Sequence, residues 1–150
     1  MYAEFYEGRH FTPGEETVTE YRLGKQEIPF GTNLLFRCEE LPELILGCEL
    51  CEDLWVAEPP STSHALMGAT VIANLSASNE TVSKDDYRTL LIKASSARLL
   101  CGYIYTSAGE GESTQDLVFG GHDLIAENGT LLAQSARFTT CLLYTSDAAD

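Results

Sequence analysis

Basic residues are scarce in this sequence, which has 9 Lys and Arg against 23 Asp and Glu in 150 residues and a formal net charge of −14. Nucleic acids and anionic membrane surfaces both attract clustered basic side chains. We therefore expect neither nucleic acid nor a membrane as a partner. Hydrophobic residues still make up 44% of the chain, which is typical of a folded domain rather than a disordered segment.

Long apolar runs are also absent, because no stretch approaches the roughly 18 to 20 uninterrupted apolar residues that a membrane-spanning helix requires. The opening residues include Glu4 and Glu7 and have neither the basic nor the apolar region of a secretory signal peptide. We expect a cytoplasmic protein. Its five cysteines, an odd number, then argue against a disulfide framework and favour metal-binding or nucleophilic roles.

Short apolar runs alternate with helical patterns along the chain. Buried strands are predicted at 43–48, 69–75 and 102–107, with helices at 60–67 and after Ser83. This alternation predicts an α/β layered fold. Residues 1–26 are polar and are expected to be irregular or helical.

The helix after Ser83 has the clearest pattern. Ser83 and Asp86 have the spacing of a capping box, and a predicted core face follows at helical intervals: Tyr87, Leu90, Leu91, Ala94, Ala97 and Cys101. Further along, Asn128-Gly129 lies between two apolar runs, which predicts an antiparallel hairpin.

Cys48 and Cys51 form a C-x-x-C motif with several possible roles. A zinc site would need two more ligands at suitable spacing, and the remaining cysteines and histidines are scattered. A redox pair should open a helix, whereas these cysteines end a predicted strand. Both cysteines could be inert and buried. Alternatively, Cys51 is a nucleophile in a turn whose backbone N–H groups bind an oxyanion. Because Glu52 and Asp53 disfavour a thiolate, this role needs a basic residue from elsewhere.

Several segments of the chain together resemble one known family. They are CELCEDLWV (48–56), NLSASNE (74–80), SAR (96–98), SAGEGEST (107–114), DLVFGGH (116–122) and LIAENG (124–129). Over residues 1–138 the sequence resembles the nitrilase-like glutaminase domain of glutamine-dependent NAD⁺ synthetases. The resemblance implies an α-β-β-α sandwich of the nitrilase superfamily over residues 1–140, incomplete on its N-terminal side.

The resemblance also implies roles for individual residues. Cys51 matches the nucleophile that attacks the carboxamide of glutamine, releases ammonia and leaves a glutamyl thioester. The backbone N–H of Glu52 would lie beside the oxyanion. Tyr2, Ser78 and Lys84 match residues that contact glutamine, and a cation such as Lys84 could pair with the α-carboxylate. No metal ligand and no cofactor is implied within residues 1–140.

The family's catalytic triad is Glu, Lys and Cys, and two of its members have no match here. The Lys lies a few residues before the position of Tyr2, and the Glu lies much further upstream. We therefore expect the chain alone to be inactive. The resemblance further implies a synthetase domain after Phe138 that uses ATP and Mg²⁺ and receives the ammonia, in a protein that forms homo-oligomers.

The last ten residues, CLLYTSDAAD (141–150), resemble the translation of a sequencing adapter, and we expect them not to be native. Two other functions remain open. The first is a stand-alone amidase or carbamoylase of the nitrilase superfamily. The second is a non-catalytic metal or redox module that uses Cys48 and Cys51.

Overall fold

The computed structural model describes residues 10–14, 17–112 and 117–139. Its elements in chain order are β1 (Thr19–Leu23), β2 (Gln26–Phe30), β3 (Leu35–Arg37), β4 (Ile45–Leu50), a 3₁₀ helix (Cys51–Trp55), α1 (Pro60–Leu66), β5 (Val71–Ser76), α2 (Lys84–Leu99), β6 (Gly102–Ser107), β7 (Leu124–Glu127) and β8 (Thr130–Gln134). Tyr2 and the segment 141–150 lie outside the described residues, so their predicted roles stay predictions. No helix in the described part of the chain is long and apolar enough to cross a bilayer.

Six strands form one sheet in the order β3-β4-β5-β6-β7-β8. The neighbours β4, β5 and β6 are parallel, and the outer strands join them antiparallel. Helices α1 and α2 lie in the two crossovers between the parallel strands; α1 packs on β4, and α2 packs on β6 and β7. Right-handed crossovers place both helices on the same face of the sheet. The carboxyl ends of the three parallel strands therefore meet at one edge, which we call the carboxyl edge.

The two faces of this sheet differ in burial. The face beneath the helices contains the core, including Ile72, Tyr103 and Leu124, each no more than 1% exposed. The opposite face, here called the open face, carries the residues that alternate with these: Phe36, Leu46, Leu50, Val71, Leu75 and Ile104. Three of its six side chains are more than half exposed: Phe36, Leu50 and Leu75. The α/β class is confirmed, and the described residues build one six-stranded sheet, one helical layer and a separate two-stranded sheet of β1 and β2.

Helix α2 begins where the sequence predicts, but its predicted core face is only partly confirmed. Cys101 is buried and Leu91 packs against the core, whereas Tyr87 and Leu90 are more than half exposed. The buried residues of the helix are Arg88, Ile92, Ser95 and Ser96. Polar contacts select this face, since the Ser96 hydroxyl accepts a hydrogen bond from Gly129 N at 3.0 Å. The predicted capping box is also wrong, because Ser83 has a left-handed φ of 63° and makes no side-chain cap.

The sequence predicts the β7–β8 hairpin but not the β1–β2 hairpin. The Asn128-Gly129 hairpin is confirmed: both residues have positive φ, 48° and 78°, as a type I′ turn requires. The β1–β2 hairpin was not predicted, since residues 1–26 were expected to be irregular or helical. Its turn contains Gly24 at φ 64°, and its apolar residues alternate along β1 as Tyr21 and Leu23. The polar composition of the segment obscured that alternation.

Candidate functional site at the carboxyl edge

Cys51 directly follows β4 and begins the 3₁₀ helix. Its φ of 40° places it in the left-handed region, which costs a non-glycine residue about 1–3 kcal/mol and is found mostly at functional sites. Two contacts hold this turn. The Asp53 carboxylate accepts a hydrogen bond from Leu50 N at 2.8 Å, and Leu54 is buried in the core. This turn, here called the elbow, therefore places Cys51 at the carboxyl edge, just beyond the end of β4.

Glu49 fixes the strand end just before the elbow. This carboxylate is 2% exposed and accepts hydrogen bonds from Ser61 N at 3.0 Å, from Asn74 Nδ2 at 3.4 Å and from the Tyr103 hydroxyl. Burial raises the pKa of Tyr103, and the negative charge of Glu49 raises it further. One side chain thus ties β4 to α1, β5 and β6, and so sets the position of Cys51.

The Glu49 contact also explains how α1 begins. The sequence suggests Ser61 or Ser63 as the helix cap, but no side-chain hydrogen bond caps the helix, which begins at Pro60. The backbone N–H of Ser61, one of the first N–H groups of the helix, donates instead to Glu49. Sequence reasoning missed Glu49, because its partners come from three separate segments of the chain.

Two of the predicted glutamine-binding residues, Ser78 and Lys84, lie near the same edge. Ser78 follows β5 by two residues and is 3% exposed. Lys84 is the first residue of α2; its Nζ donates to Asn79 Oδ1 at 2.9 Å and lies 5.4 Å from the centre of the Trp55 ring. Trp55 closes the 3₁₀ helix that Cys51 begins. The structure therefore brings together the segments that carry Cys51, Ser78 and Lys84.

Glu52, whose backbone N–H is predicted to face an oxyanion, is the second residue of that 3₁₀ helix. Its backbone amide therefore belongs to the first helical turn beside the thiol. An N–H at a helix start is oriented away from the helix body and is suited to stabilise a negative oxygen. The placement is compatible with the predicted role, which stays a prediction.

A buried ion cluster lies behind this edge. Arg88 is 0% exposed, and its Nη1 donates to Glu80 Oε1 at 2.8 Å and to His122 Nδ1 at 2.9 Å. Because arginine can only donate, Nδ1 is the acceptor and the imidazole proton is on Nε2. Nε2 lies 2.8 Å from Nε2 of Gln134, so a hydrogen bond between the two side chains requires the amide to turn its oxygen toward the ring. Burial lowers the pKa of His122, and the Arg88 charge lowers it further.

Because His122 is neutral in the folded chain, we expect the folded chain to lose stability in mild acid. The unfolded chain takes up a proton on this histidine at its ordinary pKa of 6.5, whereas the folded chain resists protonation. The contribution of neutral His122 to the free energy of unfolding is therefore present above pH 6.5 and is lost as the pH falls below that value. Urea unfolding between pH 8 and pH 5 measures it. His122→Gln keeps an acceptor for Arg88 and should have a flatter pH profile; parallel profiles for the two proteins would contradict the assignment.

The two cysteines of the C-x-x-C motif have different surroundings. Cys48 lies within β4, pairs in register with Ala73 and lines a cavity of about 690 Å³ beside Pro59 and Pro60, whereas Cys51 follows the strand. Cys48 and Cys51 are both free thiols. Within residues 10–14, 17–112 and 117–139, no group of three or more His, Cys, Asp or Glu is placed to hold a metal ion.

Comparisons with known proteins point to one family. Over 137 residues the chain is 50% identical to the glutamine-dependent NAD(+) synthetase of Mycobacterium tuberculosis; the match covers 91% of this chain and 20% of the synthetase. The chain thus spans about a fifth of the length of the curated relatives it matches. No protein-family model matches the chain.

Solved structures agree with this result. The glutamine-dependent NAD(+) synthetase of Cytophaga hutchinsonii matches with a TM-score of 0.75 and 29% identity, over 89% of this chain and 21% of that one. A Nesterenkonia amidase from the nitrilase superfamily matches with a TM-score of 0.58 and 17% identity, over 84% of this chain and 40% of the amidase, and shows the fold alone. The chain is therefore similar to one segment of the glutamine-dependent NAD(+) synthetases, and it shares the fold of an amidase from the nitrilase superfamily.

Proposed function

We propose that the chain supplies the nucleophile and part of the glutamine site of a glutaminase unit. The observation that supports this most directly is the strained elbow at Cys51, at the carboxyl edge that also carries the segments of Ser78 and Lys84. A thiol at the end of a buried parallel strand, next to the N–H groups of a helical turn, has the arrangement that acyl transfer needs.

In this reaction the Cys51 thiolate attacks the side-chain carboxamide carbon of L-glutamine. The C–N bond breaks, the nitrogen takes up a proton and leaves as ammonia, and a glutamyl thioester remains on sulfur. Water then attacks the thioester, which gives glutamate and restores the thiol. The backbone N–H of Glu52 stabilises the oxyanion of each tetrahedral intermediate, while Tyr2, Ser78 and Lys84 hold the amino-acid end of glutamine.

The contacts of Lys84 support its proposed role in binding the α-carboxylate of glutamine. Its ammonium group is held between Asn79 Oδ1 and the Trp55 ring, so its position is set before a ligand arrives. A positive charge fixed in this way can pair with the α-carboxylate of glutamine at a small additional entropic cost. The family's catalytic Lys and Glu would come from a part of the protein outside this sequence.

The complete protein would pass the ammonia to a synthetase domain, where ATP and Mg²⁺ activate deamido-NAD⁺ for amidation. We place this protein in the cytoplasm as a homo-oligomer, with no nucleic acid and no membrane as partners.

A stand-alone amidase or carbamoylase is the second candidate, since a Nesterenkonia amidase shares the fold. A hybrid protein separates the two candidates.

In the hybrid, this chain replaces the matching 137-residue segment of the M. tuberculosis synthetase. We expect the hybrid to form NAD⁺ with glutamine as the nitrogen source, because the host provides the Lys, the Glu and the synthetase domain. The 150-residue chain alone should hydrolyse glutamine no faster than buffer. A hybrid that uses ammonia but not glutamine, or an isolated chain that hydrolyses glutamine, would contradict the proposal.

A further inference from the structure

The outer side of helix α2 carries apolar side chains that the described fold leaves uncovered. At 3.6 residues per turn, these residues lie on the side of the helix opposite the buried Ile92. They are exposed members of the core face that the sequence predicts: Tyr87, Leu90, Ala94 and Ala97. A surface helix normally turns polar residues to this side. A contiguous apolar patch there indicates a surface that another protein layer covers.

Within this outer side, every fourth residue belongs to one ridge. The ridge consists of Asp86, Leu90, Ala94 and Arg98, all of them exposed. Ridges with this spacing are the ones by which helices of globular proteins most often pack on each other, at a crossing angle of about −50°. From its N-terminal end, the ridge carries an acidic, a large apolar, a small apolar and a basic residue.

The ridge is complementary to itself when it is read in the opposite direction. Asp86 and Arg98 are equally far from position 92 along the chain, and so are Leu90 and Ala94. Two copies with a two-fold axis beside position 92 have antiparallel helices, and each contact between them occurs twice. Asp86 of one copy then meets Arg98 of the other. Leu90 of one copy fills the space that Ala94 of the other leaves.

Both charged residues of the ridge are available for this contact. None of the ion pairs within the described part of the chain includes Asp86 or Arg98. Arg98 Nη1 donates to Thr62 Oγ1 at 3.2 Å, and the remaining N–H groups of the guanidinium can donate elsewhere. Because the net charge is −14, two copies repel each other in general. The Asp–Arg pairs offset this repulsion and favour antiparallel over parallel helices, which would bring like charges together.

We propose that the outer side of α2 is a contact surface between two copies of this chain, with antiparallel helices related by a two-fold axis beside position 92. The inference rests on the proposed function only in taking the protein to be a homo-oligomer, for which it names the surface. It needs no reaction at Cys51. It also explains why the apolar periodicity of α2 extends beyond the side that faces the sheet.

Sedimentation equilibrium of the 150-residue chain measures the dissociation constant of the dimer. Leu90→Asp places a charge at the centre of the contact, and we expect it to raise this constant by about thirtyfold or more, the effect of losing one central interface residue. Leu100→Asp is the matched control, because Leu100 is 80% exposed at the end of the same helix but lies outside the ridge. It should leave the dissociation constant nearly unchanged, and both variants should keep the circular dichroism spectrum of the unsubstituted chain.

Two charge reversals test the pairing of the helices. Asp86→Arg and Arg98→Asp each put two like-charged pairs into the dimer, so each variant alone should dimerise at least about tenfold more weakly at low salt. An equimolar mixture should form a heterodimer of unreduced affinity, because each Arg then faces an Asp. Native mass spectrometry distinguishes the heterodimer from the homodimers by mass. Asp86→Arg also lowers the net negative charge of the chain, so general repulsion would not explain weaker dimerisation of this variant.

Three results would overturn this contact. A dimer equally strong in Leu90→Asp and Leu100→Asp would mean that the chain associates through another surface, such as the open face, and the proposed homo-oligomer would stand. Weakened charge variants that form no heterodimer on mixing would show that Asp86 and Arg98 do not face each other. A chain that is monomeric at every concentration would remove the contact and the support that it gives to the homo-oligomer. The glutaminase reaction is tested separately, in the hybrid protein.

Discussion

Cys51→Ala in the hybrid synthetase should lower glutamine-dependent NAD⁺ formation by more than about a thousandfold, because the loss of a nucleophile removes the covalent route entirely. The ammonia-dependent rate should stay within about twofold of the unsubstituted hybrid, since free ammonia bypasses the thiol. The two rates are measured side by side as NAD⁺ formed with glutamine or with ammonium chloride.

Cys48→Ala provides the matched control for this substitution. Cys48 lies three residues earlier, within β4, and Cys51 does not line the cavity that Cys48 lines, so its replacement should leave both rates nearly unchanged. If Cys51→Ala lowered both rates equally, Cys51 would have a structural role. If Cys48→Ala lowered only the glutamine-dependent rate, the wrong cysteine would have been assigned as the nucleophile.

Arg88→Met should lower the free energy of unfolding of the chain by about 3–5 kcal/mol, which is the cost of leaving one partner of a buried ion pair behind. The Glu80 side chain is 6% exposed and would keep only Arg137, at 3.4 Å. His122 would lose its donor as well. Because a domain of this size is stable by only about 5–15 kcal/mol, much of the folded population should be lost in mild urea. Urea titration followed by circular dichroism measures the change.

Arg98→Met is the matched control, since Arg98 is an exposed arginine on the same helix whose Nη1 donates to Thr62 Oγ1 at 3.2 Å. It should cost less than about 1 kcal/mol. The double variant Arg88→Met with Glu80→Gln should lose less stability than the sum of the two single variants, because the unpaired carboxylate is gone. Additive losses would show that Arg88 and Glu80 are not coupled.

The sequence was sufficient for features that depend on local patterns. The strand Gly102–Ser107 was predicted with its observed bounds, and the turn at Asn128-Gly129 was predicted from one dipeptide. The α/β class followed from the alternation of such elements. Cys51 was singled out because a cysteine in a turn directly after an apolar run is a local arrangement; its place after β4 agrees with this, and its role as a nucleophile stays a prediction.

Features that depend on long-range contacts were not predictable in this way. The core face of α2 was predicted only in part, because an ion pair with Glu80 and the close approach of Gly129 to Ser96 decide which side faces the sheet. The interior role of Glu49 could not be seen either. It depends on groups from α1 and two neighbouring strands, and the register of those strands is not encoded in any short segment.

The open face of the sheet is regular in two directions. Its apolar side chains repeat every two residues along each strand and every 4.7–4.9 Å from strand to strand. A second sheet has the same two repeats and can interlock with it about 10 Å away. The face beneath the helices has the same repeats and is covered by α1 and α2, so the repeats alone do not choose between a sheet and helices. Leu46, Leu50, Val71 and Leu75 form continuous apolar rows against which either kind of layer can pack.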